Sequence, residues 1–401
     1  MAVDIGSTFI KAAMGEIVHP GDLHILGIAQ SESMGLRKGQ IIDIEYAAKA
    51  LESTLAQLER QTGVEIDNAL MGFSGGDLYS MENQADVALK KSKLGITKED
   101  KERVMQAVSQ VNIEPDQSVV QAIIKQFAID GFGGVREPIG MAGSRLEAGA
   151  ALIVTSSLTV QNIYRLAEYV DLKIDALVYN PLLAAEAVLL PVEKDIGVVL
   201  LDIGGGTIDL SFFNQGSLSI ASVIPMGDEY LIKDLSLVLR TSWKEAAIIK
   251  EKYGVDDSNK AKAESFLEVG NIQGSDIKQV SQKTIEEIIS ARLGEMVELV
   301  YAELRAFGIN DRIPAGLVLT GGGASLSGIV ELVKAHMDLP VRVGVPENMS
   351  QSTSDYFQPI YANVLGGLHY ISKNFDVKQL DIKGVPKIWN DITYILKYLF
   401  R

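Results

Sequence analysis

The chain has 401 residues, enough for two to four compact units, and its 47% hydrophobic and 22% charged residues are typical of a folded globular protein. Its 52 acidic residues outnumber 37 basic ones, and the formal net charge of −15 argues against nucleic acid as a partner. The chain contains no cysteine, which excludes disulfides and thiolate chemistry.

The first predicted element is a β-hairpin with a turn suited to phosphate. Residues 1–8 (MAVDIGST) precede an apolar run and predict a buried strand, a tight turn and a second strand. Glycine lets backbone N–H groups approach a phosphate, hydroxyl groups add donors, and an aspartate can hold hydrated Mg²⁺. The candidate ligand residues in this hairpin are Asp4, Gly6, Ser7, Thr8 and Lys11, with Asp4 also a metal candidate.

The chain then predicts a helix and a separate inserted unit. Residues 44–61 carry apolar side chains three and four positions apart, the spacing of a helix with one buried face. A strand follows at residues 69–74. Residues 79–159 predict a small α+β insertion, with a helix that Thr97 caps and that runs to about residue 111, a glycine-rich stretch at 131–143 and a strand at 145–155.

A second phosphate hairpin begins 198 positions after the first. A helix at 158–170 and a strand at 175–179 lead to Asn180 and Pro181, where a helix through residue 190 is predicted. The strand at 198–201 then enters the sequence DIGGGTID at 202–209. Its candidate ligand residues are Asp202, Gly204, Gly205, Gly206 and Thr207, with Asp202 the second metal candidate. The duplication predicts two related halves around a cleft.

The third glycine-rich turn lies in the last part of the chain. Helices are predicted at 244–253 and 284–307, flanking a polar stretch at 254–274 that the pattern does not assign. The strand at 317–320 ends in Gly321, Gly322 and Gly323, which let the backbone lie flat against a nucleoside.

Residues 387–401 predict a terminal amphipathic helix. Three basic residues against one acidic residue give this stretch a charge of +2, and residues 384–386 (GVP) separate it from what precedes. Fifteen residues make roughly 22 Å of helix, too short to span a bilayer, so we expect insertion at the membrane interface. The alternative is docking on the protein's own core. The membrane-facing candidates are Ile388, Trp389, Ile392, Ile395, Leu396, Leu399 and Phe400.

The three glycine-rich turns resemble those of the actin, Hsp70 and sugar-kinase superfamily, and several segments are similar to the FtsA family of bacterial cell-division proteins. No Walker P-loop occurs. The similarity runs to about residue 370. Its specific segments are residues 35–43 (GLRKGQIID), 138–147 (PIGMAGSRLE), 202–209, 224–227 (IPMG), 250–254, 291–292, 319–328 (LTGGGASLSG) and 340–342.

The resemblance implies an α/β, actin-like ATPase fold of two RNase H-like halves around a nucleotide cleft, with an FtsA-type inserted subdomain and a C-terminal amphipathic helix. The implied domains are 1–78 completed by 160–192 and 350–372 (subdomain 1A), 79–159 (1C), 193–226 with 305–349 (2A), 227–304 (2B), a linker at 373–386 and the helix at 387–401.

The resemblance also implies a function. It implies ATP and Mg²⁺ as cofactors, with Lys250 and the Gly321 to Gly323 turn at the nucleoside. It implies self-assembly into filaments, contact of Arg292 and Glu295 with the C-terminal tail of FtsZ, and contacts with other division proteins. Inner-membrane lipid would bind the terminal helix, placing the chain on the cytoplasmic face of the membrane at the division site.

Two positions depart from the expected patterns. Ala247 replaces an acid of the family's ribose-contacting pattern, and Asn180 stands where related ATPases carry a Glu that positions the attacking water. Asparagine cannot act as a base, so we expect at most slow ATP hydrolysis.

Two other functions remain as alternatives, a PilM-like pilus-assembly platform protein and a sugar or acetate-type kinase. The four histidines lack metal-ligand spacing, no apolar run reaches transmembrane length, and the first strand begins at once, so we expect a cytosolic chain without a zinc site.

Overall fold

The computed structural model describes residues 1–19, 22–89, 95–254, 265–272, 277–309, 312–347 and 354–374. The amphipathic helix predicted at 387–401 and nearly all of the linker predicted at 373–386 lie outside these residues.

The first part of the chain forms the predicted hairpin and the predicted helix. Asp43 caps the helix by accepting a hydrogen bond from the Tyr46 amide, and Gly63 ends it in the left-handed region at φ 69°. The elements are β1 (Ala2–Ile5), β2 (Phe9–His19), β3 (Asp22–Glu32), β4 (Leu36–Arg37), β5 (Gln40–Ile41), α1 (Ile44–Thr62) and β6 (Asn68–Phe73).

The inserted unit has its own hydrophobic core. Thr97 and Asp100 form a reciprocal capping box at the start of its helix, which ends at Ser109, two residues before the predicted end. Val104 and Met105 of that helix pack with Leu146 and Leu152 of the sheet. The elements are β7 (Tyr79–Ala88), α2 (Lys98–Ser109), β8 (Gln117–Ile129), β9 (Phe132–Val135) and β10 (Arg145–Ser156).

A connecting stretch returns the chain to the first sheet. The helix predicted to run from Pro181 to residue 190 ends at Val188, and Pro191 begins a separate short helix, because proline lacks the N–H that continuation would need. The elements are α3 (Ser157–Tyr169), β11 (Lys173–Tyr179), α4 (Asn180–Val188) and α5 (Pro191–Ile196).

The second half repeats the hairpin and adds a layer of helices. Strands β15 and β16 pair as a hairpin, and β15 lies within the polar stretch that the sequence left unassigned. The elements are β12 (Val198–Ile203), β13 (Ile208–Asn214), β14 (Ser217–Ile224), α6 (Glu229–Leu239), α7 (Trp243–Lys252), β15 (Phe266–Gly270), β16 (Ile277–Ser281), α8 (Gln282–Ala306), β17 (Leu317–Thr320), α9 (Ile329–Met337), β18 (Val341–Val343) and α10 (Ala362–Asn374).

The strands form two large sheets with matching central arrangements. The first has the order β11-β6-β1-β2-β3, and the second β18-β17-β12-β13-β14-β7-β10-β8-β9. In each, the phosphate hairpin is antiparallel and its first strand also pairs in parallel with a later strand, β1 with β6 and β12 with β17. This repeat is what the duplicated hairpins predicted.

Two contacts position the inserted unit and the residues between the hairpins. Strand β14 meets β7 at Ser222 and Tyr79, so the inserted strands extend the second sheet. Helices α4 and α10 pack closely, since a Cβ on Gly366 would lie 1.8 Å from the Leu183 carbonyl oxygen. That packing places Asn180 and Asn363, at the starts of these helices, near both hairpins. Among the described helices, none has the length and apolarity needed to cross a membrane.

Candidate functional site

The turns of the two phosphate hairpins touch each other. A Cβ on Gly205 would lie 1.7 Å from Thr8 Oγ1, and one on Gly206 would lie 2.7 Å from Ser7 Oγ. Only glycine permits this approach. The structure therefore brings the candidate residues of both hairpins into one cleft between the halves.

Asp4 and Asp202 lie at the strand ends of this cleft and are almost fully buried. The Asn363 amide bridges them, with Nδ2 2.9 Å from Asp202 Oδ2 and 3.4 Å from Asp4 Oδ2. Lys11 Nζ lies 3.0 Å from Asp4 Oδ2, and Asn180 Nδ2 donates to Asp4 Oδ1 at 2.8 Å. The Asn363 amide thus joins the two carboxylates, while Lys11 and Asn180 hold Asp4 alone.

The burial of these acids changes their proton affinity. Burial raises the pKa of Asp202 to about 6, with Asp4 adding to the rise while the Asn363 hydrogen bond and Lys11 oppose it. Burial and then the charge of Asp202 raise the pKa of Asp209 well above its usual range. The Asp209 carboxylate accepts hydrogen bonds from Ser74 Oγ and Thr207 Oγ1. The buried setting of the cleft therefore disfavours the charged forms of Asp202 and Asp209.

The donor set fits hydrated Mg²⁺. The Oδ1 atoms of Asn180 and Asn363 are buried and accept no hydrogen bond among the described residues. Two carboxylates with two amide oxygens beside them are the hard oxygen donors that Mg²⁺ and its water shell prefer, and Mg²⁺ commonly uses one or two carboxylates plus substrate phosphates. No group of three or more His, Cys, Asp or Glu side chains arranged around a metal occurs in the described part of the chain.

The third glycine run lies against the second hairpin. Gly321, at φ 80°, would place a Cβ 2.2 Å from Asp202 Oδ1, and a Cβ on Gly323 would lie 2.3 Å from the Ile203 side chain. Gly322 begins a short 3-10 turn, Gly322–Ser325. The third glycine-rich turn therefore packs against Asp202, while the turn of the second hairpin touches that of the first. Bare backbone of this kind is what phosphate and nucleoside binding need.

The start of α6 is tied to the same cleft. The Asp228 and Glu229 amides donate to the carbonyl oxygens of Gly204 and Gly205, at 2.9 and 3.0 Å. Thr8 Oγ1 donates to Glu229 Oε1 at 2.8 Å across the cleft. Lys250 of α7 forms an ion pair with Asp228 and so borders the cleft. Ala247, three residues earlier, is partly buried against the core of the second half.

Arg292 and Glu295 lie on α8, outside this cleft. Arg292 pairs with Glu295 one turn away, as their spacing suggested, and its Nε also lies 2.6 Å from Asp234 Oδ2 of α6. The hydrogen bond that Arg292 donates to the Asp234 carboxylate raises the pKa of Arg292, which therefore stays charged. The guanidinium also lies 5.8 Å from the Tyr230 ring centroid.

Sequence reasoning missed Asn363, Glu229, Asp209, Ser74 and Asp234. Most of these residues contact partners that are far away in the sequence, and no local sequence pattern identifies such contacts. Asp209 alone had a local signal, because it is the last residue of the DIGGGTID sequence and pairs in register with Asp202.

Two family models match the chain. The model described as "Cell division protein FtsA" matches residues 199–366, and "SHS2 domain inserted in FTSA" matches residues 75–154. The cell division protein FtsA of Neisseria meningitidis serogroup B is 35% identical over 372 residues, covering 92% of this chain and 89% of that protein.

Two solved structures give the fold. The PilM chain of the PilM-PilN type IV pilus biogenesis complex aligns with a TM-score of 0.66 at 16% identity, covering 92% of this chain and 97% of PilM. MreB5 of Spiroplasma citri, solved with ADP, aligns with a TM-score of 0.56 at 13% identity, covering 93% and 95%. The predicted actin-like fold with an inserted subdomain is confirmed for the described residues.

Proposed function

Because the chain belongs to the FtsA family of cell-division proteins, we propose that it acts in division as an ATP-binding adapter that links FtsZ filaments to the inner membrane. The cell-division role and the actin-like fold follow from the family. The binding of ATP, of FtsZ and of the inner membrane is what we propose.

ATP is the proposed ligand of the cleft. The observation that carries this is the meeting of the two hairpin turns, with Asp4 and Asp202 joined through the Asn363 amide. The ADP held by the structurally similar MreB5 supports the same assignment. The residues proposed to contact nucleotide are Asp4, Gly6, Ser7, Thr8, Lys11, Asp202, Gly204, Gly205, Gly206, Thr207, Lys250, Gly321, Gly322 and Gly323.

Asp4 and Asp202 would hold Mg²⁺ through its water shell. A bound divalent cation would neutralise phosphate charge and offset the repulsion between the two buried carboxylates. Asn180 and Asn363 would orient these acids through their NH₂ groups and offer their Oδ1 atoms to metal-bound water.

Hydrolysis would be slow, because Asn180 supplies no base beside the carboxylates. Nucleotide would then act mainly as a ligand for conformation and assembly. A steady-state phosphate release near the ~10 s⁻¹ typical of metabolic enzymes would contradict this expectation.

The proposed site for the FtsZ tail is the α6–α8 face, the surface formed by Asp234 of α6 with Arg292 and Glu295 of α8. Arg292 is partly buried but held by Asp234 and Glu295 with its charge fixed. A guanidinium donates hydrogen bonds to carboxylates, and a carboxylate of the tail would compete with Asp234 and Glu295 for the donors of Arg292.

The proposed localisation is the cytoplasmic face of the cell membrane at the division site. Residues 387–401 would anchor the chain there by their apolar face and their +2 charge. Self-assembly into filaments would make many such weak anchors act together. We assign the domains at the boundaries given above, with 79–159 as the inserted unit. PilM and the kinases share the fold, and no observation on this chain favours their functions.

One reconstitution tests the adapter role. The full chain, FtsZ and vesicles containing anionic lipid are sedimented together, with deletion of residues 387–401 and Arg292→Gln as parallel variants. We expect FtsZ to sediment with vesicles only when the chain is present, and each variant to abolish this at a different step. The deletion should release the chain and FtsZ together, whereas Arg292→Gln should leave the chain on vesicles and release FtsZ. If as much FtsZ sediments with vesicles in the presence of either variant as with the wild type, the proposal is contradicted.

A further inference from the structure

Glu229 occupies an unusual place for a carboxylate, against the glycine turn of the second phosphate hairpin. A Cβ on Gly205 would lie 2.9 Å from Glu229 Oε1, so the carboxylate rests directly on the turn. It is also the first residue of α6, and its backbone amide donates to the Gly205 carbonyl oxygen. Side chain and backbone of one residue therefore both contact the turn.

The Glu229 carboxylate also accepts a hydrogen bond from the Thr8 hydroxyl. Thr8 Oγ1 donates to Glu229 Oε1 at 2.8 Å, joining the first half of the chain to the second. Thr8 is one of the donors expected to serve a phosphate, and a hydroxyl has only one proton to donate. A phosphate oxygen and Glu229 therefore require the same proton.

Charge makes the two acceptors incompatible. A carboxylate and a phosphate are both anionic, and beside the partly buried Thr8–Glu229 pair their repulsion is stronger than in bulk water. Lys250 on α7 is engaged with Asp228, and Lys11 is engaged with Asp4. Neither is directed at Glu229 to offset that repulsion.

We propose that Glu229 is a built-in competitor for the phosphate site, which must release Thr8 when nucleotide binds and so couples the cleft to the start of α6. The inference rests on the proposed nucleotide function. The backbone bonds from Asp228 and Glu229 to the Gly204–Gly205 turn give the coupling a direct mechanical route.

The test is ATP affinity, measured by calorimetry on the full chain with Mg²⁺. Glu229→Ala removes a competing charge-assisted hydrogen bond and should tighten ATP binding about tenfold. Glu229→Gln keeps the acceptor but not the charge, so its ATP affinity should lie between those of the wild type and Glu229→Ala. Glu298→Gln, an exposed charge removal on α8, is the matched control and should bind as wild type does.

The Thr8→Val background separates competition from simple charge repulsion. If Glu229 acts by holding Thr8, the gain from Glu229→Ala should shrink at least threefold when Thr8 is absent. An equal gain in both backgrounds, or weaker binding in Glu229→Ala, would overturn the inference.

A second measurement makes no use of nucleotide. A double-mutant cycle of Thr8→Val and Glu229→Ala in urea unfolding should show that the two changes are not additive, because they remove one shared contact. Additive effects would overturn the inference. Wild-type protein that binds no ATP would instead overturn the proposed function, which distinguishes the two failures.

Discussion

Asp4 and Asp202 are two like charges buried a short distance apart, and the residues around them show how the chain tolerates this. Lys11 supplies one opposite charge, while Asn180 and Asn363 donate hydrogen bonds without adding charge. Burial still raises the pKa of Asp202 to about 6, and the charge of Asp4 adds to the rise. Two buried acids of like charge favour the binding of a divalent cation, whose positive charge would stabilise both carboxylates.

His369 gives a pH dependence that does not involve the cleft acids. Burial, and then the positive charge of Lys373, lower its pKa from the ordinary 6.5, while Glu186 and the Glu347 backbone oppose the change. Below about pH 6.5 the unfolded chain binds a proton that the folded chain takes up only at lower pH, so acidification lowers the free energy of unfolding.

Asp202 and Asp209, whose pKa values are raised, act in the opposite direction on the wild type, so the prediction concerns the difference between two proteins. We expect the stability of His369→Gln to rise relative to that of the wild type as pH drops below about 6.5, because the variant lacks the His369 contribution. Urea unfolding of both proteins between pH 5.5 and 7.5 measures the difference (a window set by the ordinary histidine pKa, about 6.5). Parallel curves for the two proteins would mean that His369 titrates as it does in water.

At the scale of elements, α6 connects the cleft to the face proposed for the FtsZ tail. Its first residue, Glu229, and the preceding Asp228 donate to the Gly204–Gly205 turn. Asp234, farther along α6, pairs with Arg292 of α8. The two helices also share the apolar core of the second half, where Leu231 and Leu235 join Ile289 and Leu293. A displacement of the Gly204–Gly205 turn would therefore move α6, and with it the Asp234 side chain that pairs with Arg292.

Arg292→Gln tests the α8 face. The variant keeps part of the side-chain stem but loses the guanidinium, so we expect FtsZ-tail peptide affinity to fall about tenfold. The free energy of unfolding should fall by only about 1 kcal/mol, because the pair with Asp234 is partly exposed.

Lys283→Gln is the matched control on the same helix. Lys283 is 84% exposed and lies near Glu287, so its loss removes one positive charge from α8 without touching Asp234. Fluorescence anisotropy with labelled peptide measures both variants. Equal peptide affinity for wild type and Arg292→Gln would leave the Arg292–Glu295 pair as a surface contact of no recognised function.

At the scale of the whole molecule, the sequence predicted the parts of the site that are contiguous in the chain. Each hairpin carries its first strand, turn and hydroxyl in one short stretch, residues 1–8 and 198–207, so Asp4, Thr8, Asp202 and Gly205 could be named as candidates before the fold was known. The duplication then implied that they would face each other. Local periodicity also gave α1 and α8 to within two residues at each end.

The contacts between halves could not be predicted in this way. Asn363 reaches Asp202, and Glu229 reaches Thr8, only because α10 and α6 are packed at particular angles by apolar residues elsewhere. An asparagine at a helix start and a glutamate in a first turn are ordinary helix-terminal residues. Neither residue has a local pattern that indicates which side chain it will meet.

The central claim is that the cleft between the two halves binds ATP through Mg²⁺ held by Asp4 and Asp202. The most direct measurement is calorimetry of ATP binding with and without Mg²⁺, comparing wild type with Asp202→Ala. Asp195→Ala is the control, since Asp195 is 51% exposed on α5. We predict Mg²⁺-dependent binding in wild type and in Asp195→Ala and none in Asp202→Ala. Unchanged ATP affinity in a folded Asp202→Ala protein would contradict the assignment of this cleft.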